Sequence, residues 1–361
     1  MNNVYGISGE KLRHTYSTDS FPPLEFAYDV LGRSLNPLVK TKLSGGMDER
    51  ETWLATATQQ RNAMIDAYNR SEDAIPFFIQ TDGHGHGSWG NIGCHNLAEG
   101  YCGYVRNIQL GDYSSYYYDG ANPANHAANS AGIANYITVM GNHEFLTNNA
   151  DATMIADLPT LIASYTPPNA VLGSSTYGYY KVVDSEYHVK YLVLQPYIPD
   201  STKASGFRNE ITSDQYEWLI DELEADDGLD VVIIQHEPLG GTYVRAADGA
   251  AVSVGDSGFS SKEILSARKA KTSGSYTDSS GATHTFDFRN CKTDLLCSFH
   301  GHEHEVWYRD KTGFGFPVYV ADCFAGSKLI CCYGLIDREH GKLSLWGVSP
   351  TETVEPIVLE L

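Results

Sequence analysis

The strongest constraint on the fold is a pattern that recurs along the chain. A short apolar run passes directly into a polar cluster containing Asp, Asn or His. Ile137-Thr138-Val139-Met140 runs into Gly141-Asn142-His143-Glu144, so that an amide, an imidazole and a carboxylate follow in succession. A strand buried on both faces cannot hold three adjacent polar side chains, and the chain must leave the sheet at Gly141. The pattern returns at Ile75 to Gln80 before Thr81-Asp82-Gly83-His84, and a second strand, Val105 to Leu110, ends in Gly111-Asp112. It returns again at Val231 to Ile234 before Gln235-His236-Glu237-Pro238, and at Leu295 to Phe299 before His300-Gly301-His302-Glu303-His304. Each tip alone is also a plain turn or strand cap, Gly-Asn being a common turn dipeptide. Polar tips on successive strands joined by helical connections predict an α/β fold with largely parallel strands. The C-terminal strand ends of such a sheet gather chemistry in one crevice.

Other segments fill in the pattern. A helix is predicted from Met47 to Arg70, with Trp53, Ala57, Arg61, Met64 or Ile65, and Tyr68 along one stripe. The clearest helix is Thr212 to Leu223, where Thr212 can cap the start and Trp218, Leu219 and Leu223 share a face. Tyr179 to Val183 and Val189 to Gln195 read as paired strands, and Ala127 to Asn135 as a weak helix. Pro317 to Leu361 alternates strands and turns, which predicts a second, antiparallel-leaning sheet.

Residues 1–45 read as an extended arm or small appendage, interrupted by Phe21-Pro22-Pro23-Leu24, Gly32 and Asn36-Pro37, with a hairpin around Asp29 to Gly32. Residues 46–361 form the main domain. Within it, 239 to about 290 is a polar, Gly- and Ser-rich insertion carrying one helix (Ser261 to Lys271) and a hairpin pivoting on Asp278-Ser279-Ser280-Gly281. It lies between two polar-tipped strands, and is expected to act as the specificity element and as a lid.

A chain of 361 residues suits two compact units, or one large α/β domain with insertions. The net charge of -20 argues against a nucleic-acid or anionic-membrane surface, although a polyanion can still enter where bound cations reverse the field locally. Met1 to Gly6 shows no basic stretch followed by an apolar core, so no secretory signal is expected. The apolar runs are strand-sized, which predicts no membrane insertion and a cytoplasmic protein. Of the 7 cysteines Cys331 and Cys332 are adjacent and none forms a CxxC pair, a pattern expected of free thiols in a reducing compartment.

The polar tips carry Asp82, His84, Asp112, Asn142, His143, His236, His302 and His304. Two divalent ions a few ångströms apart need a carboxylate between them and mixed nitrogen and oxygen donors around them. Hard, water-activating metals favour Asp, Asn and neutral His over thiolates, and no cysteine falls within these motifs.

The ordered motifs Asp82-Gly83-His84, Gly111-Asp112, Gly141-Asn142-His143-Glu144, His236 and Gly301-His302-Glu303-His304 resemble those of the calcineurin-like metallophosphoesterases, over roughly residues 72 to 350. The resemblance implies a four-layer α/β/β/α sandwich, two mixed sheets flanked by helices. It implies that Asp82, His84, Asp112 and His304 hold a first metal, and that Asp112, Asn142, His236 and His302 hold a second, with Asp112 bridging. Manganese, iron and zinc all fit this donor set. The resemblance further implies hydrolysis of a phosphomonoester or phosphodiester by in-line attack of a metal-bound hydroxide. His143 would protonate the leaving alkoxide, with Glu144 orienting its ring.

Some features depart from the family pattern. After Asp112 the chain reads Tyr113-Ser114-Ser115-Tyr116-Tyr117-Tyr118-Asp119, without the Val-Asp-Arg-Gly continuation of the Ser/Thr protein phosphatases. The tyrosines are expected to pack a loop, or to stack on an aromatic substrate group. His86, His95, His126 and His300 lie near motifs without a role in them; His300 is expected to be structural, and Trp89 and Asn91 to border the pocket. Two alternatives accompany the leading one. Asp82-Gly83-His84-Gly85-His86 superficially resembles the clusters of metallo-β-lactamase-like hydrolases, but lacks their tight His-x-His-x-Asp-His run. The N-terminal arm and Gly/Ser/Tyr-rich loops resemble phosphoesterase-like proteins of bacteria and their prophages, which implies an accessory domain of a structural or adhesion protein.

Overall fold

The computed structural model describes residues 46–83, 105–113, 135–145, 152–200, 202–203, 205, 207–255, 261–322, 331–349 and 354–361. The first described element is α1 (Gly46–Arg70), followed by β1 (Ala74–Gln80), β2 (Arg106–Gln109) and β3 (Tyr136–Thr138). The single turn α2 (Asn142–Phe145) and α3 (Ala152–Tyr165) lead to β4 (Ala170–Leu172), β5 (Tyr180–Asp184), β6 (Val189–Val193), β7 (Tyr197–Pro199) and β8 (Phe207–Asn209). Then come α4 (Ser213–Glu224), β9 (Asp230–Ile234), β10 (Gly241–Arg245), β11 (Ala251–Val254), α5 (Lys262–Ala270), β12 (Ser273–Thr277) and β13 (Thr283–Asp287). The chain closes with β14 (Leu295–His300), β15 (Trp307–Arg309), β16 (Val318–Val320), β17 (Cys331–Asp337), β18 (Lys342–Val348) and β19 (Ile357–Glu360).

Two mixed sheets stack face to face. One has the order β19-β18-β17-β1-β2-β3, the other β11-β10-β15-β16-β14-β9-β6-β5-β4. The parallel strands of the first are β1, β2 and β3, and those of the second are β6, β9, β14 and β16. Of these β1, β9 and β14 carry long apolar runs because they are covered on both faces, whereas β2 buries Arg106, Asn107 and Gln109. Between the sheets lies one core in which Phe77 of β1 meets Phe299 of β14 at 4.8 Å, with Ile79, Tyr191, Val232 and Ile234 around them. Helix α1 closes the outer face of the first sheet through Ala57, Met64, Ile65 and Tyr68, the stripe its spacing predicts. Helices α4 and α5 close the outer face of the second, burying Tyr216, Leu219, Leu223, Ile264 and Leu265 against Leu192, Val231 and Ile233. The helix–sheet–sheet–helix sandwich expected from the motifs is therefore the observed architecture.

The predicted cap is present: Thr212 accepts from the Gln215 backbone N–H at 3.2 Å and starts α4. Trp218 is only partly buried, against Tyr179 at 5.0 Å, while Tyr216 and Ile220 complete the buried face. The C-terminal tail departs from expectation. Strands β17, β18 and β19 do not build a second sheet; β17 pairs antiparallel with β1 from Ala74↔Asp337 to Ile79↔Cys332 and extends the first. The reason is burial, since β1 is apolar on both faces and needs a neighbour on its free edge. The second sheet is instead built from the middle of the chain.

The insertion has the predicted parts, α5 and the β12–β13 hairpin turning at Gly281 (φ 87°). It is integrated rather than loose: β10 and β11 lengthen the second sheet, and Phe286 and Phe288 join the core beneath α4. Helix α3 was not foreseen, because Pro159 interrupts its sequence pattern. The N-terminal arm 1–45 and most of Ala127 to Asn135 lie outside the described residues.

Candidate metal centre

Asp82 follows β1, Asp112 follows β2 and Asn142 follows β3, all from the first sheet; His236 follows β9 and His302 and His304 follow β14, from the second. The parallel strands of both sheets thus end at one place. The local backbone is unusual there. Asp82 (φ 51°), Asp112 (φ 51°), His302 (φ 76°) and His304 (φ 54°) all adopt the left-handed region. Such conformations cost roughly 1–3 kcal/mol each and cluster at functional sites. Two glycines make room. A Cβ on Gly141 would land on Asp112 Oδ1, and one on Gly111 (φ +101°) would land on the His236 ring. Gly141 is thus required for close approach, not for a left-handed turn.

Asp112, His236 and His302 bring one ligand atom each within 4.8 Å of one another. His236 Nε2 lies 3.3 Å from Asp112 Oδ2 and 3.2 Å from Asn142 Oδ1, and His302 Nδ1 lies 3.0 Å from the same Asn142 oxygen. These four residues are the set expected around the second metal. Beside them, His304 Nε2 is 3.2 Å from Asp82 Oδ1, and the His302 backbone N–H donates to Asp82 Oδ2 at 2.9 Å. Asp82 and His304 come from the set expected around the first metal. His84 lies outside the described residues, as do His86, Trp89, Asn91, His95, His126 and the tyrosines Tyr116 to Tyr118.

The proton inventory tests whether a cation fits. His236 Nδ1 sits 2.5 Å from the Leu110 carbonyl, an acceptor only, so Nδ1 carries the ring proton. In a neutral ring Nε2 would then direct a lone pair at two oxygens, Asp112 Oδ2 and Asn142 Oδ1. That geometry calls for a positive charge among the three atoms. Burial works to lower the His236 pKa, but the charge and contact of Asp112, helped by Asp82, outweigh it and push it up to about 10. The field that draws a second proton to Nε2 is the field that would hold a divalent ion. Burial also works against the Asp82 charge, yet the His304 contact, the His236 charge and the Thr81 hydroxyl hold it well below the usual carboxylate range. Carboxylate, amide and neutral imidazole donors of this kind suit hard or borderline divalent metals.

His143 stands at the mouth. Its backbone N–H donates to Asp112 Oδ1 at 2.8 Å, its ring Nε2 is 3.8 Å from Asp112 Oδ2, and its side chain is 25% exposed. Glu144, expected to orient that ring, is fully buried, and its Oε2 accepts from the backbone N–H groups of Gly141 at 2.6 Å and Asp112 at 3.0 Å. It ties the Gly141 and Asp112 turns together. His300 is structural, as expected: fully buried, its ring contacts Ser298 Oγ at 2.6 Å and the Glu237 carbonyl at 2.7 Å, and burial pushes its pKa down to about 3. Tyr113 packs in a small core with Phe145, Ile162 and Tyr197.

One residue of the centre was not singled out from the sequence. Glu237, directly after His236, reaches within 3.6 Å of His302 Nε2 through Oε2, while Oε1 accepts from the Tyr197 hydroxyl at 2.9 Å. A carboxylate adjoining a ligand in the sequence was the available signal.

A family model for calcineurin-like phosphoesterases matches residues 103–306, which takes in the Asp112, Asn142, His236, His302 and His304 motifs and leaves Asp82 and His84 before it. Among solved structures, that of PhoD is similar at 11% identity and a TM-score of 0.45, covering 80% of this chain and 69% of that one. A 5'-nucleotidase precursor from Thermus thermophilus is similar at 12% identity and 0.41, covering 80% of this chain and 54% of its own. A phosphopantetheinyl hydrolase from Mycobacterium tuberculosis is similar at 14% identity and 0.36, over 69% and 89% of the two chains. No curated protein matches the chain. Among the described residues no helix is long and apolar enough to cross a membrane.

Proposed function

This chain belongs to the calcineurin-like phosphoesterases, and on that premise we propose that it is a dinuclear metal-dependent phosphoesterase acting on a phosphomonoester or phosphodiester. The observation that carries this reading is the convergence of Asp112, Asn142, His236 and His302 on one point. Asp112, Asn142, His236 and His302 would hold one ion, and Asp82, His84, Asp112 and His304 the other, with Asp112 shared. Two such ions supply water activation near neutral pH and charge compensation for the phosphoryl oxygens.

The chain's own groups do the rest. His143 Nε2 is partly exposed beside Asp112, where a protonated ring could hand its proton to the leaving oxygen. Its backbone N–H is tied to Asp112, so the proton donor would be positioned by the residue that would be shared between the two ions. Glu144 acts on His143 through the turn it braces at Gly141 and Asp112. The test is turnover of p-nitrophenyl phosphate and bis(p-nitrophenyl) phosphate by protein stripped with chelator and reloaded with manganese, iron or zinc. Activity that disappears with the metal and returns with it supports the reading. Absence of both metal uptake and turnover of either ester overturns it.

A further inference from the structure

Glu237 is held more firmly than a loop residue needs to be. Its carbonyl accepts from the Gln235 side-chain amide at 2.8 Å and faces the His300 ring at 2.7 Å. Its carboxylate accepts from the Tyr197 hydroxyl at 2.9 Å, and both residues are buried. Tyr197 is fixed in turn by Phe145 and Phe207, with ring centroids at 5.7 and 5.2 Å. The other carboxylate oxygen, Oε2, is aimed at the ring of His302, 3.6 Å from Nε2.

The His302 ring has one nitrogen toward Asn142 Oδ1 at 3.0 Å and the other toward Glu237. A neutral imidazole has one proton to place. A ring that ligates through Nδ1 must carry that proton on Nε2, the nitrogen facing the carboxylate. A carboxylate opposite the non-ligating nitrogen of a histidine is the arrangement that fixes tautomer and ring orientation in metal sites.

We propose that Glu237 is a positioning residue for His302: anchored by Tyr197, its negative charge 3.6 Å away favours the His302 proton on Nε2 and turns Nδ1 toward the ion that Asp112, Asn142 and His236 would hold. This rests on the metal-dependent reading above. Glu237 touches neither substrate nor ion in this role.

The test uses the full chain with metal removed, titrated with Mn2+ and Co2+, in wild type, Glu237→Gln and Tyr197→Phe. Wild type is expected to take up two ions. Glu237→Gln should bind one of them unchanged and the other about 10- to 100-fold more weakly, the usual size of such an effect. Tyr197→Phe should weaken the same ion less. In the Co2+ protein, a solvent-exchangeable imidazole N–H resonance shifted by the metal should be present in wild type and move or vanish in Glu237→Gln. Its assignment to His302 comes from its absence in His302→Ala. If wild type binds no metal, the functional reading fails. If wild type binds two ions and Glu237→Gln binds both as tightly with the resonance unmoved, only the role of Glu237 fails. An equal loss at both sites overturns that role as well, because it acts on one ligand of one ion.

Discussion

Two buried aspartate–histidine pairs in this molecule look alike and behave as opposites. Asp278 and His284 meet in the β12–β13 hairpin at 2.9 Å, and Asp112 and His236 meet between the sheets at 3.3 Å. Asp278 has a full set of donors: Ser213 Oγ at 2.5 Å on one oxygen, with Ser280 N, Ser280 Oγ and Ala282 N between 2.7 and 3.0 Å on the other. Its charge is answered by the protein, and the pair clasps the hairpin to the start of α4. Asp112, by contrast, receives one backbone N–H, that of His143, and its other oxygen faces His236 Nε2, so a positive charge, a second ring proton or a cation, has to stand between them. The lesson is that residue type and burial do not separate a clasp from a candidate metal site. The number of donors the described residues supply to the carboxylate does.

The largest effect should come from Asp112→Asn. It removes the shared charge, and metal affinity is expected to fall by more than the roughly 100-fold that outer groups reach, with turnover lost alongside. Thermal melts should then show that manganese stabilises wild type and Asp278→Asn but not Asp112→Asn, since only a protein that binds the ion gains from it. Equal stabilisation of all three would erase the distinction between the pairs.

Next in size is His143→Ala. Turnover should drop about 10²- to 10⁴-fold, the range for loss of a positioned proton donor, with metal content by elemental analysis unchanged. An emptied metal site in this variant would make His143 a ligand and not a proton donor.

Asp278→Asn should leave metal content and turnover alone and lower stability by roughly 1 kcal/mol for each strong hydrogen bond weakened. The pH dependence sharpens the contrast. Burial opposes the Asp278 charge, but the contacts from His284, Ser213, Ser280 and Ala282 hold its carboxyl well below the usual range. A carboxyl with a depressed folded-state pKa stabilises fully above its unfolded value, about 3.9, and the gain is lost as pH falls below that. Denaturant melts of wild type and Asp278→Asn should therefore differ at pH 5 and above and converge in acid. A gap that widens in acid would contradict the clasp.

Much of the centre was legible in the sequence because its logic is local. Asp82, Asn142, His236, His302 and His304 each stand just past a mostly apolar run, and burial of the run forces the polar residue out at the strand's end, while Asp112 follows a strand that itself carries Arg106, Asn107 and Gln109. Glu144 was recognised as part of the centre, but its partners were not, because a buried carboxylate answers to backbone groups that no side-chain pattern reveals. Glu237 was passed over for a related reason: its meaning lies in Tyr197 and His302, which are distant in sequence.

The sequence by itself determined which strands are buried, where each ends, and what chemistry stands at the ends, since these depend on hydrophobicity along one segment. It also determined the start of α4, because a cap is a contact between residues 3 apart. Only the tertiary structure decided that β17 to β19 complete the first sheet, that the insertion is built into the second layer, and that His236 Nδ1 faces the Leu110 carbonyl. Those outcomes depend on which edges and atoms remain unsatisfied once the chain has packed, and that is a property of the whole fold.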